Sequence, residues 1–235
     1  MGRSIIVGDV HGCSRELGDL LALVGPVSGD QVYFVGDLVA RGPDSRGVLQ
    51  RFREIGARGV VGNHEVGLLK ARRARQSGQP GPPLGKSHES LLRSFDDDDW
   101  ALLDALPVYL ELAPHDALVV HAGLLPGIPL AQQDARTLTN IRSVGEDGLA
   151  SERNGTESWA TSYSDRPHVV FGHDARRRLQ LHPCATGLDT GCVYGGALTA
   201  LVVPEGQTLP PPHERRDWLV SVRAHEAYYE VRSVA

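Results

Sequence analysis

The apolar positions of this chain follow two rhythms, and the change between them divides it. In the first third, short unbroken apolar runs alternate with segments whose apolar residues recur every three or four positions. Ile5–Val7, Gln31–Val35 and Val60-Val61 are β-branched and continuous, which predicts buried strands. Between them, Leu17, Leu20, Leu21 and Val24 mark a helix over Ser14–Val24, and Val48, Leu49, Phe52 and Ile55 mark another over Asp44–Ile55. A third helix is predicted over Glu65–Gln76. Such alternation implies βαβ units with parallel strands.

Ser77–Gly85, with three prolines and three glycines, reads as a loop. Helices follow around His88–Phe95 and over Asp97–Leu106, ended by Pro107. The acidic run Asp96–Asp99 suits a helix N-terminus better than a metal site, because carboxylates cap free N–H groups there. The rhythm then shortens to strands: Val108–Leu112, Ala117–Val120, His168–Phe171, Leu179–Leu181, Ala197–Val203, Trp218–Val222 and Tyr228–Val231. These predict a mixed or antiparallel sheet packed on the first. Residues 124–165 have weak periodicity and read as an excursion covering the site, where substrate choice usually resides. No internal repeat appears, and the 235 residues are expected to form one domain.

A net charge of −5 argues against a general nucleic-acid binder. It leaves room for an anionic small molecule held by metals and a few arginines. Three cysteines without disulfide spacing suit a reducing compartment. Met1–Ser4 runs into a strand without the apolar stretch of a leader, and nothing approaches a membrane-spanning length of about 20 apolar residues. A cytoplasmic protein with no membrane partner is expected.

The chemistry lies in five short signatures that follow predicted strands: Gly8-Asp9-Val10-His11-Gly12, Gly36-Asp37-Leu38-Val39-Ala40-Arg41-Gly42, Gly62-Asn63-His64-Glu65, His121-Ala122-Gly123 and Gly172-His173. They gather Asp, His and Asn at strand ends, where hard and borderline metal ions find oxygen and imidazole ligands. Two ions roughly 3.5–4 Å apart need a shared ligand, and Asp37 is the natural bridge. Asp9 and His11 can hold one ion. Asn63, His121 and His173 can complete the other site. Metal lowers the pKa of bound water to about 7, so the expected reaction is attack of activated water on a phosphate ester or anhydride. His64 points away from its neighbour Asn63 and suits a general acid. Arg41 can fork onto phosphate oxygens.

These residues resemble the phosphoprotein phosphatase superfamily of calcineurin-like metallophosphoesterases, over residues 4 to about 203. The resemblance implies an α/β fold, a two-sheet β-sandwich flanked by helices. It places two divalent ions, Mn²⁺ foremost with Fe, Zn, Co or Mg as alternatives, on Asp9, His11, Asp37, Asn63, His121 and His173, and a general acid on His64. Most protein phosphatases of this group carry Asp where this chain has Ala40, and that Asp orients the acid histidine. Gly36–Pro43 and Gly187–Thr199 are similar instead to the bacterial symmetrical diadenosine tetraphosphatases, which release two ADP. A dinucleoside polyphosphate is the implied substrate. The rival implication is a Ser/Thr or dual-specificity phosphoprotein phosphatase, which Glu65 after His64 suits.

Six further residues have weaker cases. Arg142 is a candidate second phosphate clamp. Arg176 belongs to Arg176-Arg177-Arg178, a trio that reads first as a solvated turn but should bring one arginine near the site. Tyr194 suits base stacking and core packing equally. Cys13 reads as a small buried thiol. Trp159 and Tyr163 are lesser stacking candidates. His88, His115, His168, His182, His213 and His225 match no signature and are assigned no role.

Overall fold

Side chains alternate along β1 (Ser4–Val7): Ile5 and Val7 enter a helix-facing core, while Ile6 enters a second core. All four residues are buried, as a strand covered on both faces requires. β1 pairs in parallel with β2 (Gln31–Phe34), and β2 with β3 (Arg58–Gly59). The connections are α1 (Ser14–Val24) and α2 (Ser45–Glu54), as the periodicity predicts. Asp44 caps α2 by accepting from Gly47 N, so the helix begins one residue later than expected. The predicted strand Val60-Val61 lies just past the ladder. Three helices follow: α3 (Asn63–Gln76), α4 (Lys86–Ser94) and α5 (Asp97–Ala105). α3 starts two residues early and takes Asn63 and His64 into its first turn. Asp96 and Asp99 form a capping box on α5, and the buried Asp99 also pairs with Arg46 and Arg53.

This computed structural model describes residues 2–230. Its second sheet has the order β4 (Tyr109–Leu112), β5 (Ala117–Val120), β8 (His168–Phe171), β10 (Ala185–Gly187), β9 (Gln180–Leu181). β5, β8 and β10 run parallel, with an antiparallel strand at each edge. Between β5 and β8 lie α6 (Ala135–Asn140) and the short hairpin of β6 (Ser143–Val144) and β7 (Ala150–Ser151). This segment packs on the outer face of the second sheet through Leu138, Ile141, Trp159 and Tyr163. Trp159 and Tyr163 are therefore core residues, with Trp159 Nε1 donating to Ala122 O at 3.0 Å, and not stacking platforms.

The expectation that all later strands share one sheet needs correction. β11 (Ala197–Val203) pairs antiparallel with β1, and β12 (Leu219–Arg223) pairs with β11 after the short α7 (Pro212–Arg215). They cover the β1 edge that would otherwise offer unpaired backbone groups. Tyr228–Glu230 form no strand, and Val231 lies outside the described residues. The two sheets stack with Ile6, Tyr33, Val35, Val119, Val170 and Leu201 between them, and helices flank the first: a two-sheet sandwich of the α/β type. No described helix is long and apolar enough to cross a membrane.

Arg215 ties the C-terminal segment to the second sheet. It is fully buried, and among the described residues no carboxylate hydrogen-bonds to it. Its guanidinium donates to Pro210 O at 2.7 Å, His182 O at 3.0 Å, Ala185 O at 3.2 Å and Thr186 Oγ1 at 2.8 Å. Burial pushes its pKa down to about 10. An Arg215→Met change keeps most of the volume but strips these acceptors of their donor. It should cost about 3 kcal/mol. Urea unfolding should show a lower midpoint at unchanged slope; an unaltered midpoint would mean the carbonyls find other donors.

Candidate metal centre

Parallel strands deliver their following loops to one end of a sheet. Here the loops after β1, β2 and β3 of the first sheet meet those after β5, β8 and β10 of the second. Asp9 Oδ1 and Oδ2 each accept from His173 N at 3.1 Å, which ties the first signature to the last. Asn63 Oδ1 lies 3.0 Å from His121 Nε2 and 3.1 Å from His173 Nδ1. All six predicted ligand positions and His64 thus come together.

Asp37 sits at the middle. Its Oδ2 lies 3.4 Å from His11 Nε2 and 3.4 Å from His121 Nε2. His11, Asp37 and His64 offer ligand atoms within 4.8 Å of one another, and so do Asp37, His121 and His173. Asp37 is common to both groups, as a bridging ligand would be, although the first contains His64, which the sequence reading kept as the acid, and neither contains Asp9. The imidazoles are aimed by backbone carbonyls: His11 Nδ1 contacts Val39 O at 3.2 Å, and His121 Nδ1 contacts Val35 O at 2.9 Å. These contacts leave both Nε2 atoms facing Asp37, the orienting arrangement common around metal-binding histidines.

The electrostatics point the same way. Burial, then Asp189 and Asp37, raises the Asp9 pKa well above the carboxylate range. Burial pushes Asp37 up to about 6, and Glu65 and Asp189 each to about 7. Burial likewise lowers His121 to about 4 and holds His11, His64 and His173 well below their usual range. Crowded buried carboxylates facing neutral imidazoles form a site short of positive charge. Hard oxygens with borderline nitrogens suit Mn, Fe or Zn.

Two carboxylates that the sequence reading gave no role help build this frame. Glu65 is fully buried, and its carboxylate accepts from Asp37 N at 2.9 Å, Gly62 N at 2.9 Å and Val39 N at 3.1 Å. It fixes the second signature onto the third, which explains Glu65 without reference to substrate. Asp189, buried after β10, accepts from Gly191 N at 3.0 Å. Its place between two glycines in Gly187-Leu188-Asp189-Thr190-Gly191 was the available signal.

Beside the cluster a groove of about 390 Å³ is lined by Arg41, Arg142, Asn154, His173, Arg176, Arg178, Asp189 and Tyr194 among others. Arg41 Nη1 lies 2.9 Å from His11 Nε2, and its guanidinium sits over the rings of Tyr194 at 5.5 Å and Tyr229 at 5.6 Å. Tyr194 is half-buried and packs partly on the helix-side core. Arg142 leans on Asp174 at 3.4 Å. Of the arginine trio, Arg177 is tied to Asp174 and Gly155 O, Arg178 reaches Thr190 O at 3.1 Å, and Arg176 stays exposed on the rim. Cys13 is buried beside Cys192.

Gly62 lies where only hydrogen fits. A Cβ there would stand 2.2 Å from Asp37 Oδ1 and 2.4 Å from Asp37 N, although its backbone would accept any residue. Gly62→Ala should displace Asp37 and lower bound divalent metal at least about tenfold, since supporting changes commonly cost 10–100-fold in affinity. Gly67→Ala, where a Cβ meets nothing within 4 Å, is the control and should bind as before. Elemental analysis after equilibration with Mn²⁺ reads both; equal occupancy would refute the close-approach argument.

Comparison with known proteins places the fold in a family. A family model described as calcineurin-like phosphoesterase matches residues 2–194. A relative from Janthinobacterium sp. (strain Marseille), named symmetrical bis(5'-nucleosyl)-tetraphosphatase, is 31% identical over 271 aligned positions, covering 89% of this chain and 97% of its own. Another, from Geobacillus sp. (strain WCH70) and named asymmetrical bis(5'-nucleosyl)-tetraphosphatase PrpE, is 28% identical and covers 88% of this chain and 93% of its own. Among solved structures, one described provisionally as a diadenosine tetraphosphatase superposes with a TM-score of 0.81 at 38% identity, covering 95% of this chain and 94% of that one. On the matched length and the shared two-sheet frame, this chain belongs to the calcineurin-like phosphoesterase family.

Proposed function

We propose that this chain hydrolyses diadenosine tetraphosphate and related dinucleoside polyphosphates symmetrically, as a cytoplasmic small-molecule enzyme. The observation that carries the reading is the arginine-lined groove opening directly beside the buried carboxylate–histidine cluster. Four arginines beside one site suit a substrate with several phosphates better than a single phosphoryl group. The names of the relatives support it, and they include both symmetrical and asymmetrical hydrolases. Calcineurin-like phosphoesterases use divalent metal ions.

In this reading Asp9, His11, Asp37, Asn63, His121 and His173 would hold two ions, Mn²⁺ first among the candidates, with Asp37 as the shared ligand. Bound ions supply Lewis acidity at the phosphoryl oxygens and a water acidic enough to attack at neutral pH. Arg41 leaves His11 for the phosphoryl oxygens, and its stacking on Tyr194 and Tyr229 steadies it for that exchange. Arg142 and Arg176 receive the outer phosphates, and Tyr194 offers an aromatic face toward a base. His64 protonates the departing oxygen. Its proton is disfavoured by burial and by the neighbouring His11 and Arg41, and an anionic polyphosphate in the groove offsets the cationic part of that penalty.

Mn²⁺-loaded protein should convert diadenosine tetraphosphate to ADP alone, resolved by ion-exchange chromatography, faster than it dephosphorylates a phosphothreonine peptide. ATP with AMP would make the cleavage asymmetrical. Rapid peptide turnover with intact dinucleotide would make it a phosphoprotein phosphatase. Asp37→Ala should remove activity and metal together; retention of both ions would refute the bridge. Arg41→Ala should lower kcat/KM about 100-fold. Ala40→Asp should raise peptide turnover relative to dinucleotide turnover, and an unchanged ratio would end the use of Ala40 as a discriminator.

A further inference from the structure

The acid histidine lacks the aspartate that the related protein phosphatases place at Ala40, yet His64 is not without a partner. Its Nδ1 lies 3.1 Å from His88 Nε2. The two rings stack at 4.9 Å between centroids and 23° between planes, and His64 also meets the edge of His11 at 4.7 Å. His88 matches no sequence signature and lies 24 residues away, on a different helix. We propose that His88 is the positioning residue for His64: a neutral imidazole on α4 accepting from His64 Nδ1, in place of the absent aspartate.

The inference rests on the acid role given to His64 above. His64 Nδ1 is taken as the donor in this contact, and that choice assigns the roles of its two nitrogens. With Nδ1–H donated to His88, Nε2 is the nitrogen left free for the leaving oxygen. As the P–O bond breaks, its electron pair stays on that oxygen and the proton moves there from Nε2. His64 is then neutral, with its remaining proton still on Nδ1, and solvent restores the other. For His88 to accept, it must be uncharged. Burial and the nearby Arg41 favour that state by lowering its pKa. With Nε2 accepting, the proton of His88 sits on Nδ1, which is buried and has no hydrogen-bond partner among the described residues, so the contact with His64 is what orients this imidazole.

The position of α4 makes His88 separable from the fold. No residue of this helix is fully buried. It is held by Leu91 and Leu92 against the helix-side core and by Glu89, which pairs with Arg75 of α3. His88 can therefore be replaced without removing what docks the helix. A neutral imidazole also stabilises a protonated partner less than a carboxylate does, so this pair suits leaving groups that need little protonation. A nucleoside diphosphate is such a group and a serine alkoxide is not.

The test compares wild-type holoenzyme with His88→Ala, His88→Asn and His88→Asp on 4-nitrophenyl phosphate and phenyl phosphate, a good and a poor leaving group. The Ala variant should lose about tenfold in kcat on the phenyl ester and little on the nitrophenyl ester, with KM and metal content unchanged. Asn, which can still accept, should recover part of the loss, and Asp should recover it fully or exceed it. Equal losses on both esters, or no loss, would overturn the proposal. A second readout does not depend on turnover. In ¹⁵N-histidine spectra of the protein loaded with diamagnetic Zn²⁺, His64 should carry its proton on Nδ1, and His88→Ala should mix its tautomers. A tautomer indifferent to position 88 would also overturn it. Diadenosine tetraphosphate is assayed alongside: if the dinucleotide stays intact while the leaving-group effect appears, the substrate reading fails and the histidine pair stands.

Discussion

Hydrogen bonds hold three of the four polar atoms of Asp37, and the site depends on that. Its N–H donates to Glu65, its carbonyl accepts from Val10 N at 3.2 Å and His11 N at 2.8 Å, and its Oδ1 accepts from His64 N at 3.0 Å. Only Oδ2 is left, and it faces His11 and His121. One residue therefore joins the loops after β1, β2 and β3 and turns one oxygen toward the second sheet. The sandwich core beneath, with Ile6 and Val35 against Val119 and Val170, sets how far apart those loops start. Packing fixes the gap, and Asp37 spans it.

The parts of the fold that could be read from sequence are those with a local cause. β1, β2, β5, β8 and β11 are nearly continuous apolar runs because both faces are covered. α1 and α2 show one apolar stripe because one side meets the sheet. β10 was invisible because Ala185-Thr186-Gly187 carries neither rhythm; it is a strand only because Val169 to Phe171 lie alongside. The membership of β11 and β12 was misread for a related reason. β11 pairs with β1, nearly the whole chain away, and β12 joins the sheet through β11; no spacing in the sequence encodes the first pairing.

The same division runs through the site. Ligand candidates were legible because each is a chemical type flanked by glycine at a strand end. Glu65, Asp189 and His88 were not, because what they do is defined by a partner. Glu65 is one more acid on an amphipathic helix until Asp37 and Val39 are seen donating to it across 28 and 26 residues. His88 is one of several unassigned histidines until α4 lies against the start of α3. Ala40 pointed to a missing partner, and only the fold could supply the replacement.

Backbone strain shows where this chain commits its stability. Seven described residues other than glycine have positive φ, and five of them are His11, Asp37, Ala40, Arg41 and His173. Such conformations cost roughly 1–2 kcal/mol each in L-residues, least for Asn and Asp. They persist because buried hydrogen bonds such as those of Glu65, and of Ser45 Oγ with Ala40 N at 3.0 Å, hold the turns. At φ 69°, Ala40 is a poorer residue for its own backbone than Asp would be. Backbone preference therefore does not account for alanine at this position. The account that remains is chemical: with His88 beside His64, a carboxylate at position 40 would add a second partner and a further negative charge to a cluster whose buried acids already raise one another's pKa.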